Sequence, residues 1–568
     1  MVDAKMTTDA AKIPLETGKA LTPALQRVGG SMPYCLWLLL TAGAFYWRPP
    51  TAPVELEILA SAWHMWTHGL WLPLRNDLPA PQIPPLQLWL ILAGWKAFGI
   101  ATWWPRLLSP LAGLASIWLT GQIALVLWPH RNSTAYFARI LLIGLGGFAI
   151  MLTVVAPEPL SQPVIAAGFA IVVRLWLVQQ SRRYRALFLI LLAVLQCLTV
   201  MLGGWAFALV IPLSVLLFPL LDRSATVNWR LWAGLLVISS IPPLICAAIW
   251  LDQVDAITTL LRFGNGWLDP AKEASRREPW SLAFIPVVLY PWLWWKTLWR
   301  ATRRSLEGVI GTGLRLSTAF LIAAVAAGLL SGWQLQGMLS VSTPLCLIAA
   351  RLLATHRIKA RDFHAAFPSF LALTTGLIFF LMNIIPTAHL DAVWRSLFDV
   401  PLPIWLGGIG LTSGLILLIM GYVIAQLSPS QQLLRTLQVA LLPSLLLTCL
   451  NIEFPGNLAQ FFDLSPVADR LQAMQEAGQP IAVYGDYRGE FDYQGRLMRA
   501  PDVVRTPQQA WIWADRHPGG VILTYFDGSP IRLPALPLFR GVARDHWVAI
   551  WPSSAVAASD GKILDSSF

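Results

Sequence analysis

Apolar runs of about twenty residues recur along most of this chain, and few folds accommodate that pattern. A helix of that length crosses the hydrocarbon core of a bilayer, about 30 Å thick. Within that core every backbone N–H and C=O must find a partner inside the chain, so only helices and closed barrels span it. The runs cover about 33–48, 105–128, 134–155, 160–178, 185–201, 203–221, 231–251, 280–299, 314–331, 335–354, 364–385, 402–425 and 434–450. They predict about 13 spanning helices.

Composition supports the same class. Of 568 residues 56% are hydrophobic and only 12% charged, whereas soluble domains carry roughly 25% charged residues. A soluble globule, a disordered chain, a collagen-like fibre and a disulfide scaffold are thereby excluded. The 29 Trp and 42 Pro fit as well, since Trp favours membrane–water interfaces and Pro is tolerated in spanning helices. Cys35, Cys197, Cys246, Cys346 and Cys449 all lie in apolar runs, without ligand spacing, and read as small buried hydrophobes.

The net charge is +11, but its distribution argues against nucleic acid as a partner. Residues 451–568 hold 10 basic and 13 acidic side chains, leaving 31 against 17, or +14, for residues 1–450. Basic residues flanking apolar spans are an orientation signal. With the amino end inside, the cytoplasmic side receives His130-Arg131, Arg182-Arg183-Arg185, Arg223, Arg230, Lys296 through Arg304, Arg351 through Arg361, and Arg435. An odd number of spans puts everything after 450 outside, with 49–104, 156–159, 252–279 and 386–401. The outer loop 252–279 breaks the bias with Arg262, Lys272, Arg276 and Arg277. An anionic ligand is one reason for such charge.

The chain accordingly divides into a cytoplasmic tail (1–32), a spanning domain (33–450) and an outer terminal domain (451–568). Within the loop 49–104, residues 54–72 carry Leu56, Leu59, Trp63, Trp66 and Leu70 at helical spacing, which predicts an amphipathic surface helix. Residues 86–98 predict a second apolar helix, too short to span. After 450, strand-like runs at Ile481–Tyr484 and Val521–Tyr525 accompany a helical stretch, Val467–Glu476. A small α/β domain is expected there.

Charges are rare in the spans, so polar groups near the outer face are the first functional candidates. Glu55 and Glu57 open the surface helix. A carboxylate there deprotonates an acceptor, or the pair holds a divalent cation against a phosphate; two acids are also what the dipole of a helix's first turn favours. Glu158 stands between Pro157 and Pro159 in a short outer turn, where a solvated acid is equally at home. Arginines such as Arg262, Arg276 and Arg277 suit bidentate phosphate recognition or anionic lipid headgroups. His64 and His68 are four apart, a helical ligand spacing, yet no zinc-protease pattern surrounds them and interfacial packing accounts for them. No phosphate-binding glycine loop, nucleophile elbow or zinc cluster occurs.

The order of the segments is informative. Val54-Glu55, Gly69-Leu70-Trp71, Pro84-Pro85-Leu86-Gln87-Leu88-Trp89, Phe98-Gly99 and Arg106-Leu107-Leu108-Ser109-Pro110-Leu111-Ala112-Gly113 follow one another. Later come Glu158, Arg262-Phe263, Arg276-Arg277-Glu278-Pro279-Trp280 and Gly485-Asp486-Tyr487-Arg488-Gly489-Glu490-Phe491-Asp492. In this order the chain resembles bacterial glycosyltransferases of the dolichyl-phosphate-mannose–protein mannosyltransferase type, a GT-C class that includes the aminoarabinose-to-lipid-A transferase. The resemblance covers nearly the whole chain.

It implies a polytopic helical membrane protein of the bacterial inner membrane with a periplasmic terminal domain. It also implies transfer of a sugar from a polyprenyl-phosphate donor to a lipid, polysaccharide or protein acceptor. Glu55 would be general base, or would position metal or acceptor, with Glu57 beside it. Glu158 would orient the acceptor, and Arg106, Arg262, Arg276 and Arg277 would stabilise the leaving phosphate. No organic cofactor is implied; a divalent metal ion stays open. Three family positions differ. The first Asp is Val54, the phosphate-binding Lys is Ile83 after Gln82, and the basic residue before the tenth span is Gln334 or Gly337. A degenerate partner subunit or lipid-binding assembly factor of the same fold is the alternative. A secondary transporter is disfavoured, since no inverted repeat is visible.

Overall fold

The computed structural model describes residues 22–252 and 311–558, short stretches within them excepted. The amino-terminal part comprises α1 (Pro23–Trp47), α2 (Val54–His68), α3 (Pro85–Phe98), α4 (Trp103–Leu127), α5 (Asn132–Ile143), α6 (Gly146–Met151), α7 (Glu158–Leu177) and α8 (Arg182–Gly203). After these come α9 (Trp205–Ala208), α10 (Val210–Leu221), α11 (Trp229–Asp252), α12 (Thr312–Leu330) and α13 (Leu335–Ala354). The bundle closes with α14 (Ala366–Ile384), α15 (Thr387–Phe398), α16 (Leu411–Gln426) and α17 (Gln432–Glu453). Two-residue strands β1 (Leu74–Arg75) and β2 (Leu78–Pro79) pair antiparallel between α2 and α3.

Among the described residues seven helices are long and apolar enough to cross a membrane: α1, α4, α7, α8, α11, α12 and α17. Four shorter apolar helices accompany them, in Ala206–Leu221, Leu339–Ala354, Ser369–Ile384 and Leu411–Gln426. Their core runs through Leu40, Ile117, Phe169, Phe320 and Cys346, with Phe169 and Phe320 stacked at 4.0 Å.

Some boundaries differ from the sequence expectation. The run 134–155 is two helices, α5 and α6, broken at Gly144. Glycines at 144, 146 and 147 lower its helical preference, and a Cβ on Gly144 would stand 2.5 Å from the Ala440 Cβ of α17. α1 begins at Pro23, inside the segment expected as a tail; a proline suits the first helical turn, whose N–H groups have no intrahelical acceptor. The loop expected at 386–401 contains α15. Cys346 and Cys449 are buried as expected, but Cys35 is exposed on the bundle surface. The expected span 280–299 lies outside the described residues.

The terminal domain holds α18 (Ala459–Phe462), α19 (Ser465–Glu476), β3 (Ile481–Tyr484), β4 (Asp502–Val504), α20 (Pro507–Arg516), β5 (Val521–Phe526), β6 (Phe539–Ala543), β7 (His546–Pro552) and α21 (Ser553–Ala558). Its sheet has the order β4-β3-β5-β7-β6. β3 runs parallel to β4 and β5, while β7 is antiparallel to β5 and β6. Thr506 caps α20 by accepting the Gln509 N–H at 3.2 Å, and Trp513 Nε1 donates to Asp502 at 2.7 Å. A second apolar core joins this domain to the bundle. Leu56, Leu59, Trp63, Leu88 and Trp95 of α2 and α3 share it with Leu464, Val467, Phe491, Tyr493 and Val548.

Candidate active site

The chain leaves α1 and enters α2 within a few residues, which places Arg48 and Glu55 side by side. Arg48 Nη2 donates to Glu55 Oε1 at 2.8 Å and also to the Thr153 carbonyl. The Val155 N–H donates to the same Glu55 oxygen at 2.7 Å. Glu55 is 0% exposed. A buried carboxylate is tolerated only with such partners, because desolvation disfavours its charge.

Arg106, in the first turn of α4, donates Nη2 to the carbonyls of Ala44 and Arg48, each at 2.5 Å. Its guanidinium also lies 5.4 Å from the Phe45 ring centroid. The cluster therefore binds the end of α1, the start of α2, the start of α4 and the turn before α7 at one end of the bundle. Glu158 is the first residue of α7, three positions after Val155, and is partly exposed. The positive end of that helix's dipole favours its carboxylate.

Glu57 turns toward the terminal domain. Its Oε2 stands 3.8 Å from Arg488 Nη1, and both side chains are partly exposed. Around Arg488 lies a group of acids and phenols. The Arg488 N–H donates to Glu490 at 3.1 Å, and the Tyr487 hydroxyl donates to Asp492 Oδ1 at 2.5 Å. Burial raises the Asp492 carboxyl to about 6, helped by neighbouring Glu490 and opposed by the Tyr487 hydrogen bond. Burial likewise raises Glu490, with Glu57 adding to the effect. The Tyr487 and Tyr525 hydroxyls are pushed well above the usual phenol range, again chiefly by burial. Gly489, at φ 86°, brings this loop against α2, where a Cβ would lie 2.7 Å from that of Ala60. Only glycine allows that approach.

The structure thus brings Glu55, Arg106 and the Glu158 turn together, and sets Glu57 one step away toward the terminal domain. Arg262, Arg276, Arg277 and Asp486 lie outside the described residues. His64 and His68 stack at 4.2 Å along α2. Among the described residues no group of three His, Cys, Asp or Glu side chains could hold a metal ion. Sequence reasoning missed Arg48, the central cation of the cluster. The available signal was its place at the end of the first span that the charge pattern assigns to the outside, where the orientation rule does not favour arginine.

No protein-family model matches this sequence, and no curated protein matches it significantly. Solved structures do match in fold. ArnT from Cupriavidus metallidurans bound to undecaprenyl phosphate superposes with a TM-score of 0.66 at 14% identity, covering 93% of this chain and 98% of that one. The same protein in the apo state gives 0.64 at 15% identity, with the same coverage. Across nearly its whole length, this chain has an ArnT-like fold.

Proposed function

We propose that the chain is a membrane glycosyltransferase that moves a sugar from a polyprenyl-phosphate donor to a membrane-associated acceptor. Its site would be the end of the bundle that carries the terminal domain, on the periplasmic face of a bacterial inner membrane. The supporting observation is the cluster of Arg48, Glu55, Arg106 and the 153–158 turn at that end, within a fold shared with a protein crystallised with undecaprenyl phosphate.

Chemistry connects these parts. The donor's tail needs an apolar groove between helices, while its phosphate needs cations that do not belong in the bilayer centre. The acceptor's hydroxyl or amine gives its proton to a carboxylate, and its heteroatom bonds the anomeric carbon. The bond from that carbon to the phosphate oxygen breaks, and polyprenyl phosphate departs. Glu158 and Glu57, both partly exposed, are the carboxylates we assign to receive the proton and orient the acceptor. Glu55 holds Arg48 and the 153–157 turn in place, so it acts as a positioning residue. Arg106, with Arg262, Arg276 and Arg277 by sequence, would stabilise the leaving phosphate.

The full burial of Glu55 favours a second reading, a catalytically degenerate partner subunit or lipid-binding assembly factor of the same fold. Purified protein in lipid nanodiscs, given radiolabelled polyprenyl-phosphate sugars, separates the two. Turnover supports the transferase. Saturable binding of the lipid without turnover supports the second reading, and the absence of both overturns each.

A further inference from the structure

Among the described residues Arg496 is the one non-glycine position with a positive φ, 48°. Side chains adopt that region uncommonly and persist there only where their surroundings fix them. A closing turn fixes this backbone, the Leu497 N–H donating to the Asp492 carbonyl at 3.0 Å, and two rings hold the side chain. The guanidinium carbon lies 5.0 Å from the Trp63 ring centroid and 4.3 Å from that of Tyr493. Trp63, on α2, donates its indole N–H to the Leu497 carbonyl at 2.8 Å. Tyr493 stacks on Trp95 of α3 at 5.3 Å, and its hydroxyl meets Thr102 Oγ1 at 3.2 Å. The cation is therefore clamped at the seam between bundle and terminal domain.

Its charge is unanswered. Arg496 has no ion pair among the described residues, and its Nη1 is buried without a hydrogen-bond partner. A ring face attracts the flat of a guanidinium but leaves its in-plane N–H donors unmet. Arg496 is partly exposed, and the donors on its open edge, away from the enclosed Nη1, match the oxygens of a phosphate. The neighbourhood is of the interfacial kind, since Phe98 and the Trp103 beside Thr102 are 58% and 41% exposed and pack at 5.3 Å. The clamp is separate from the acid cluster, because Trp63 stands about 12 Å along α2 from Glu55.

We propose that Arg496 receives a phosphate group at this seam, carried by an anionic lipid headgroup or present as the free ion. The test uses the full chain in a neutral detergent. Phenylglyoxal labelling of Arg496, read by peptide mass, is followed with dihexanoyl phosphatidylglycerol, dihexanoyl phosphatidylcholine or inorganic phosphate. A probe at about ten times its half-saturating concentration slows labelling about tenfold. Protection by phosphatidylglycerol but by neither phosphatidylcholine nor inorganic phosphate supports the site with an anionic lipid as its source, and equal protection by phosphatidylcholine overturns it. Protection by inorganic phosphate as well supports it with the free ion. This assay needs no variant, so it survives any folding defect. In parallel, the protecting probe raises the melting temperature of the native chain, Arg496→Lys keeps part of that shift and Arg496→Gln loses it. Unchanged labelling with every probe, or an equal shift in Arg496→Gln, overturns the proposal.

Discussion

The Arg48 guanidinium and the Glu55 carboxylate meet at 2.8 Å, both buried, where the first helix hands over to the second. Removing one partner leaves the other charged and desolvated. Arg48→Ala is expected to destabilise the protein by about 3–5 kcal/mol, and Glu55→Ala comparably. The double variant Arg48→Met/Glu55→Leu should lose far less than Arg48→Met and Glu55→Leu combined, because it buries no lone charge. Denaturant or thermal unfolding of the purified chain checks the cycle, and strict additivity would show that the pair is uncoupled.

Asp492 makes stability depend on pH in an unusual direction for an acid. Its folded value, about 6, lies above the ordinary 3.8, so the folded state binds the proton more tightly. This contribution is fully present below pH 3.8 and is lost as pH rises through 6. Across that window it amounts to about 1–3 kcal/mol. Asp492→Asn keeps an oxygen for the Tyr487 hydroxyl and should flatten the slope between pH 4 and 6. Melting curves of both proteins across that range decide the matter; identical slopes count against it.

Gly489→Ala attacks the docking of the terminal domain. The new methyl would meet Ala60 at 2.7 Å, in a backbone conformation alanine disfavours. A loss of about 1–3 kcal/mol is expected. Limited proteolysis should release the terminal domain faster from this variant than from the native chain.

The acids separate by their roles. Glu158→Gln and Glu57→Gln should each lower the transfer rate, about 10²–10⁴-fold for whichever carries the proton, while leaving the unfolding midpoint near its native value. Glu55→Gln should lower both rate and midpoint. Transfer measured in reconstituted vesicles beside melting curves distinguishes these outcomes, and native rates in both Glu57→Gln and Glu158→Gln would remove these acids from the mechanism.

Much of the helical architecture was legible because it rests on local rules. Apolar length revealed α4, α7 and α8, and helical spacing from Leu56 to Trp66 revealed α2. The strands at 481–484 and 521–526 were readable from short apolar runs between turns. What escaped depends on contacts between distant segments. The break at Gly144 reflects both a glycine-rich run and the passage of α17, far along the chain. Arg48 carries no motif, and its importance arises only when Thr153, Val155 and Arg106 converge on it. The Tyr487–Asp492 stretch stood out as text, yet nothing in its composition announced a glycine pressed against Ala60.

Because α2 and α3 contribute to the same apolar interior as Phe491 and Tyr493, bundle and sheet share a hydrophobic core, with the Glu57–Arg488 pair beside it. A fragment starting after the last long helix would present those side chains to water, inviting self-association in place of a faithful surrogate. Biochemistry on the terminal domain is therefore best done with the entire polypeptide in a lipid or detergent environment.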